Sequence, residues 1–194
     1  HPKPNNWRTA LGTYISIAGT LSDEDLEDIY RLRAYTGSLT NADDYARYVS
    51  SASRGGDVMN PNEVLRWLNA GIDAGAIDRA SVATALQSAD KNKLYYDKNS
   101  PSLEQQAVSG KAARSLSSAA DHALDEGRYA RAIELYDMAV TAGFNADNAS
   151  LRKGVSNYEL GNYAAARSNF EAVTGPATKG LANYWLFFLD QQGC

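Results

Sequence analysis

The side chains best suited to proton transfer or metal ligation are few: two histidines and one cysteine in 194 residues. His122 sits between Asp121 and Asp125, and on a helix the spacing of three would put His122 and Asp125 on one face. That pair is the raw material of a hydrolase, but no Ser or Cys nucleophile motif, Gly-rich phosphate loop or paired metal spacing accompanies it. A packed or surface imidazole is the simpler reading. His1 reads as a tag or processing remnant, and Cys194, at the very end, has no disulfide or metal-ligand companion in the sequence. Glu134, Asp137 and Glu171 read as solvated helix faces. The run Asp23-Glu24-Asp25 after Ser22 reads as acids in a first helical turn, where the dipole favours them. Neither a catalytic residue, a metal ligand nor a cofactor site is assigned, and the chain is expected not to be an enzyme.

Charge narrows the partners. The net charge is −4 with both signs interspersed, so there is no basic field to hold a nucleic acid. Apolar runs fall short of the roughly 18–20 residues that span a bilayer, and the WLFFL segment near the end is read as part of a capping helix. The chain starts on His1 rather than Met, which suggests a processed or truncated product and leaves export open. Ala is abundant, Pro is scarce and alternating β-branched runs are absent, a composition for a nearly all-helical chain.

The elements that would position these residues announce themselves by repetition. Gly127 returns after 34 residues as Gly161, Tyr129 as Tyr163, Ala132 as Ala166, Tyr136 as Phe170 and Ala139 as Val173. A period of that length marks stacked helical hairpins. Each Gly follows a helix-forming run and precedes a Tyr, where a turn between antiparallel helices needs a residue able to take positive φ. Ala132 and Ala166 let helices approach, and the aromatics four residues on fill the neighbouring gap.

These two copies, GRYARAIELYDMAVTAGF and GNYAAARSNFEAV, resemble the hinge and second helix of tetratricopeptide repeats. Leu116, Gly154 and a displaced Tyr158 stand where the preceding helix of that family has its bulky residue, Gly and aromatic, with Ala120 replacing the first Gly. The fold implied is an all-α, right-handed superhelix of antiparallel hairpins. More loosely, the C-terminal part, with VTGP before a helix ending YWLFFLD, resembles the C-terminal region of exported bacterial tetratricopeptide-like proteins of unassigned function, and WLNAGIDAGAID and YRLRAYTGSLTNADDYARYVSSA are similar to more N-terminal repeats of such proteins. This likeness implies a fragment of a longer bacterial protein, periplasmic or otherwise exported, with a cytoplasmic location as the alternative.

On that basis the expected organisation is one continuous solenoid. Residues 1–6 form a loose start, 7–110 degenerate hairpins, 111–177 the two clear repeats and 178–194 a capping helix with Tyr184, Leu186, Phe187 and Phe188 inward and Asp190 and Gln191 outward. In the first half, Ser22 caps a helix whose apolar face is Leu26, Ile29, Tyr30 and Leu32. Thr40 caps a helix over 41–53, SRGGD is a turn, and Asn60-Pro61 opens another helix. KNKLYYDKNSP reads as an inter-repeat loop, with Ser100-Pro101 restarting a helix.

The resemblance also implies where a partner would lie, because the first helix of each tetratricopeptide hairpin lines a concave groove. That role falls on Ser117, Asp121 and Leu124, on Asn148, Leu151, Arg152, Val155 and Tyr158, and on Trp185 and Leu189. Such a mixture would suit a protein or peptide with apolar anchors. The clamp that some family members use for a C-terminal carboxylate is unmatched, since Asp121 stands where Asn is expected. The expected function is noncatalytic protein-protein interaction. Its alternative is a superhelical scaffold segment of a larger enzyme or of an envelope or transport assembly. Self-association stays open.

Overall fold

The computed structural model describes residues 3–55 and 57–193; the readings of His1 and Cys194 lie outside them. Ten α-helices run through the described residues, with one two-stranded hairpin and one 3-10 turn. They divide into two compact units between Tyr95 and Tyr96.

In the first unit α1 (Pro4–Ile17) starts three residues before Trp7, because Pro4 occupies the first turn, where its missing N–H costs nothing. The helix α2 (Asp23–Tyr35) opens with the expected Ser22 cap: Asp25 N–H donates to Ser22 Oγ at 3.1 Å and Ser22 N–H to Asp25 Oδ2 at 2.9 Å. Its burial departs from the expected one-sided pattern. From Glu27 to Ala34 every residue is buried, four charged ones among them, so each charge must be met inside. In α3 (Ala42–Ser51) the cap is Asn41, which accepts from Asp44 N–H at 3.1 Å, and not Thr40. Thr40 instead donates its own N–H to the Asp44 carboxylate.

β1 (Ser53–Arg54) pairs antiparallel with β2 (Asp57–Val58), with Gly56 of the SRGGD segment outside the described residues, and α4 (Pro61–Asp73) follows with Pro61 at its start. Tyr30, Tyr48, Val58, Val64 and Leu68 make the centre of this unit's core. The helix α5 (Ala83–Gly110), entered through the 3-10 turn Arg79–Val82, corrects the sequence reading of KNKLYYDKNSP as a loop. Lys, Leu, Gln and Glu around that stretch sustain helix, and Pro101 is accommodated within it.

The second unit carries the repeats. Helices α6 (Ala113–Asp125) and α7 (Tyr129–Thr141) pack together, as do α8 (Ala146–Glu159) and α9 (Tyr163–Glu171). Further packing joins α7 to α8, and α10 (Pro176–Gln192) to α9 and α8. Gly127 and Gly161 take φ of 75° and 74°. At the first, the N–H of Arg128 reaches back to Ala123 O; at the second, that of Asn162 reaches Asn157 O, the same helix-closing turn twice. Ala132, Tyr136 and Ala139 are fully buried, as are their counterparts Ala166, Phe170 and Val173.

The final helix differs in phase from expectation. Leu181, Ala182, Trp185, Phe188 and Leu189 are buried, the i, i+1, i+4, i+7, i+8 stripe of one helical face. Tyr184 and Leu186 are half-buried, while Phe187 is 49% exposed. The consecutive residues Leu186, Phe187 and Phe188 cannot share one face at about 100° per residue. Asp190 does point outward, paired with Arg167 at 2.6 Å.

Candidate functional site

The expected groove residues come from α6, α8 and α10, and these helices place most of them in the interior of the second unit. Ser117, Leu124, Leu151, Arg152, Val155, Trp185 and Leu189 are buried. Asp121, Asn148 and Tyr158 retain partial exposure. A repeat pattern identifies the helix face that a residue occupies, but not which neighbouring helix covers it.

Asp121, Tyr136 and Arg152 form a polar link across three helices. Asp121 Oδ1 accepts from Tyr136 Oη at 2.5 Å and from Arg152 Nη1 at 3.0 Å. A buried guanidinium needs such a carboxylate. Near the end of α8, Tyr158 lies 5.8 Å from Tyr163, 5.5 Å from Phe188 and 6.3 Å from Trp185, ring centre to ring centre. Trp185 stacks on Phe170 at 5.3 Å. The cluster reaches the surface at Tyr163, 41% exposed, and beside it Leu160 is 42% exposed.

His122 lies against the Tyr96 ring, 4.0 Å between centres. Its Nδ1 is enclosed and has no hydrogen-bond partner, and burial lowers its pKa against the opposing pull of Asp121 and Glu126. The imidazole is packed rather than presented. Glu134 and Asp137 are exposed, each in an ion pair, with Arg131 and Lys153 respectively, and Glu171 is exposed. Among the described residues no group of three His, Cys, Asp or Glu side chains is placed to hold a metal ion.

The second unit also has an apolar cleft of about 470 Å³ lined by Leu116, Met138, Ala142, Thr141, Lys111 and Asp137. Lys111 has a φ of 53°.

Two groupings in the first unit went unread in the sequence. In one, the buried Arg31 guanidinium donates to Glu63 Oε1 at 2.8 Å and to Glu27 Oε1 at 3.1 Å, and also bonds Asp28. Burial would lower its pKa, but Glu63, then Asp28 and Glu27, raise it well above the ordinary value. Glu63 lies 32 residues from Arg31, and only Arg31 with Glu27 and Asp28 carries helix spacing that could have hinted at it.

The other grouping is a cleft of about 470 Å³ walled by α1, α2 and α3. Arg8 and Arg33 converge there on Asp44, at 2.9 and 2.7 Å. The Arg33 guanidinium also lies 5.1 Å from the centre of the Tyr30 ring. Burial alone would raise the Asp44 pKa, yet hydrogen bonds from Arg8, Thr40 and Arg33 bring it below the ordinary value, so the group is a carboxylate at neutral pH.

No protein-family model, curated protein or solved structure matches the chain significantly.

Proposed function

We propose that this chain is a noncatalytic helical-repeat protein of tetratricopeptide-like architecture that binds a protein or peptide partner through the exposed margin of its second unit. The observation that carries this reading is the aromatic cluster around Tyr158, which surfaces at Tyr163 beside Leu160. Partly exposed aromatics backed by a rigid core give large contact area at low entropic cost. Asn148 and Asp121 would supply polar contacts. A right-handed superhelical arrangement and an exported, periplasmic setting belong to the same proposal.

The second reading, a scaffold segment in a larger enzyme, envelope or transport assembly, is favoured by one specific observation. Seven of the ten expected groove residues are buried, so they hold helices together instead of facing a groove.

A pull-down from fractionated lysate of the source cell, with the parent chain beside an Asn148→Arg, Tyr158→Ala double variant of intact circular dichroism, separates the two. Trp185 is unsuitable for this purpose, because truncating a fully enclosed ring opens the core. Loss of a partner from the folded variant supports the binding reading. Equal retention, or no partner for either chain, overturns it in favour of the scaffold.

A further inference from the structure

We propose that the cleft between α1, α2 and α3 binds a small phosphate-bearing anion. Its walls are built from three helical spacings. Arg8, Gly12 and Thr13 with Ser16 lie along one side of α1; Tyr30 and Arg33, three apart, come from α2; Asp44 and Arg47, three apart, come from α3. Three guanidinium groups thus face one carboxylate. Asp44 already neutralises one of them, which leaves the cleft with two uncompensated positive charges among its lining residues.

The donors suit this ligand class. Arg33 is more than nine-tenths buried, and its Nε is enclosed with no hydrogen-bond partner, although Nη2 serves Ser38 O and Asp44. Arg47 is exposed and has no ion-pair or hydrogen-bond partner among the described residues. Arg8 is 44% exposed in its side chain, so it can swing a donor toward a ligand while Asp44 keeps its bond to Arg33. Guanidinium presents paired N–H groups that match phosphate oxygens, and hydroxyls such as Thr9 and Thr13 can complete the shell. Gly12 supports access, since a methyl group there would meet nothing within 4 Å. A cleft of about 470 Å³ falls in the size range of small-molecule sites, so it holds an organic phosphate monoester as well as the free ion. This inference rests on the first unit alone and stands apart from the partner surface of the second.

Isothermal titration calorimetry of the whole chain in low-chloride buffer, with inorganic phosphate, phosphoserine and serine as the probes, tests it. The expected result is saturable binding of phosphoserine or phosphate and none of serine. Affinity should fall about tenfold or more in Arg47→Gln, with Arg47→Lys between the two, and binding should be lost in Gly12→Glu, which puts a carboxylate into the cleft. Arg47 is exposed and Gly12 has open space, so neither variant should lower the melting temperature. Absence of saturable binding by both phosphate probes, equal binding by serine, or unchanged affinity in the two variants would overturn the assignment.

Discussion

At the scale of single residues, Arg31 carries the heaviest electrostatic duty in the first unit. Three buried carboxylates, Glu27, Asp28 and Glu63, hold it, and Arg54 reaches Glu27 at 3.6 Å. Replacing it by a neutral side chain of similar length leaves those acids without their main counter-charge in a region that water does not reach. Arg31→Met should therefore cost about 3–5 kcal/mol, read as a lowered urea midpoint. His122 is the opposite case, a buried base whose burial favours the neutral form. The sequence allowed it a place in a hydrolase, and a residue type cannot reveal its enclosure; the Tyr96 ring that covers it comes from a stretch read as loop.

At the scale of elements, Gly154 and Gly12 predict opposite outcomes for one substitution. A methyl group at Gly154 would overlap the Phe170 ring, which is itself stacked on Trp185. Gly154→Ala should destabilise by about 1–3 kcal/mol. Gly12 lies inside α1 with open space around it, so Gly12→Ala should stabilise by about 0.5–1 kcal/mol through helix propensity and a less flexible unfolded chain. Denaturant titration of both variants checks the signs. What could be read in advance divides along the same line. The Ser22 cap, the Gly127 and Gly161 turns and the buried Ala-aromatic pairs were readable because each depends on neighbours within a few positions. The continuity of α5 was not, because Ser100-Pro101 is locally a good helix start whether or not a helix precedes it. The Arg8, Arg33 and Arg47 cleft depends on how three helices meet, and no local pattern encodes that.

At the scale of the whole molecule, protons should act on stability in two separate ranges. In the unfolded chain His122 takes up its proton near its ordinary pKa of 6.5, whereas the folded imidazole waits for a lower pH. The unfolded state then holds more protons, so stability falls as pH drops through 6.5 and levels off once the folded imidazole is charged. Asp44 and Glu104 have folded pKa values below their ordinary 3.8 and 4.5. For Glu104, burial works upward but the hydrogen bonds from Arg128 and Arg131 outweigh it. Their contribution is complete above those ordinary values and is lost as pH falls through the folded ones. Melting temperature followed against pH should show both descents in the parent chain, and His122→Leu should retain only the acidic one.

The turn between α9 and α10 is tied down by α8. Asp147, from the first turn of α8, accepts the N–H of Thr174 at 2.8 Å and that of Gly175 at 3.0 Å. A Cβ at Gly175 would run into the same carboxylate and push it off its place. An exposed connection normally trades its amide hydrogens for deuterium within moments of dilution into heavy water. These two should instead keep their protons on the timescale of the helices they join, and Asp147→Ala should release both while leaving the pattern within α10 unaltered. The carboxylate would then serve as a latch whose opening can be timed with an isotope.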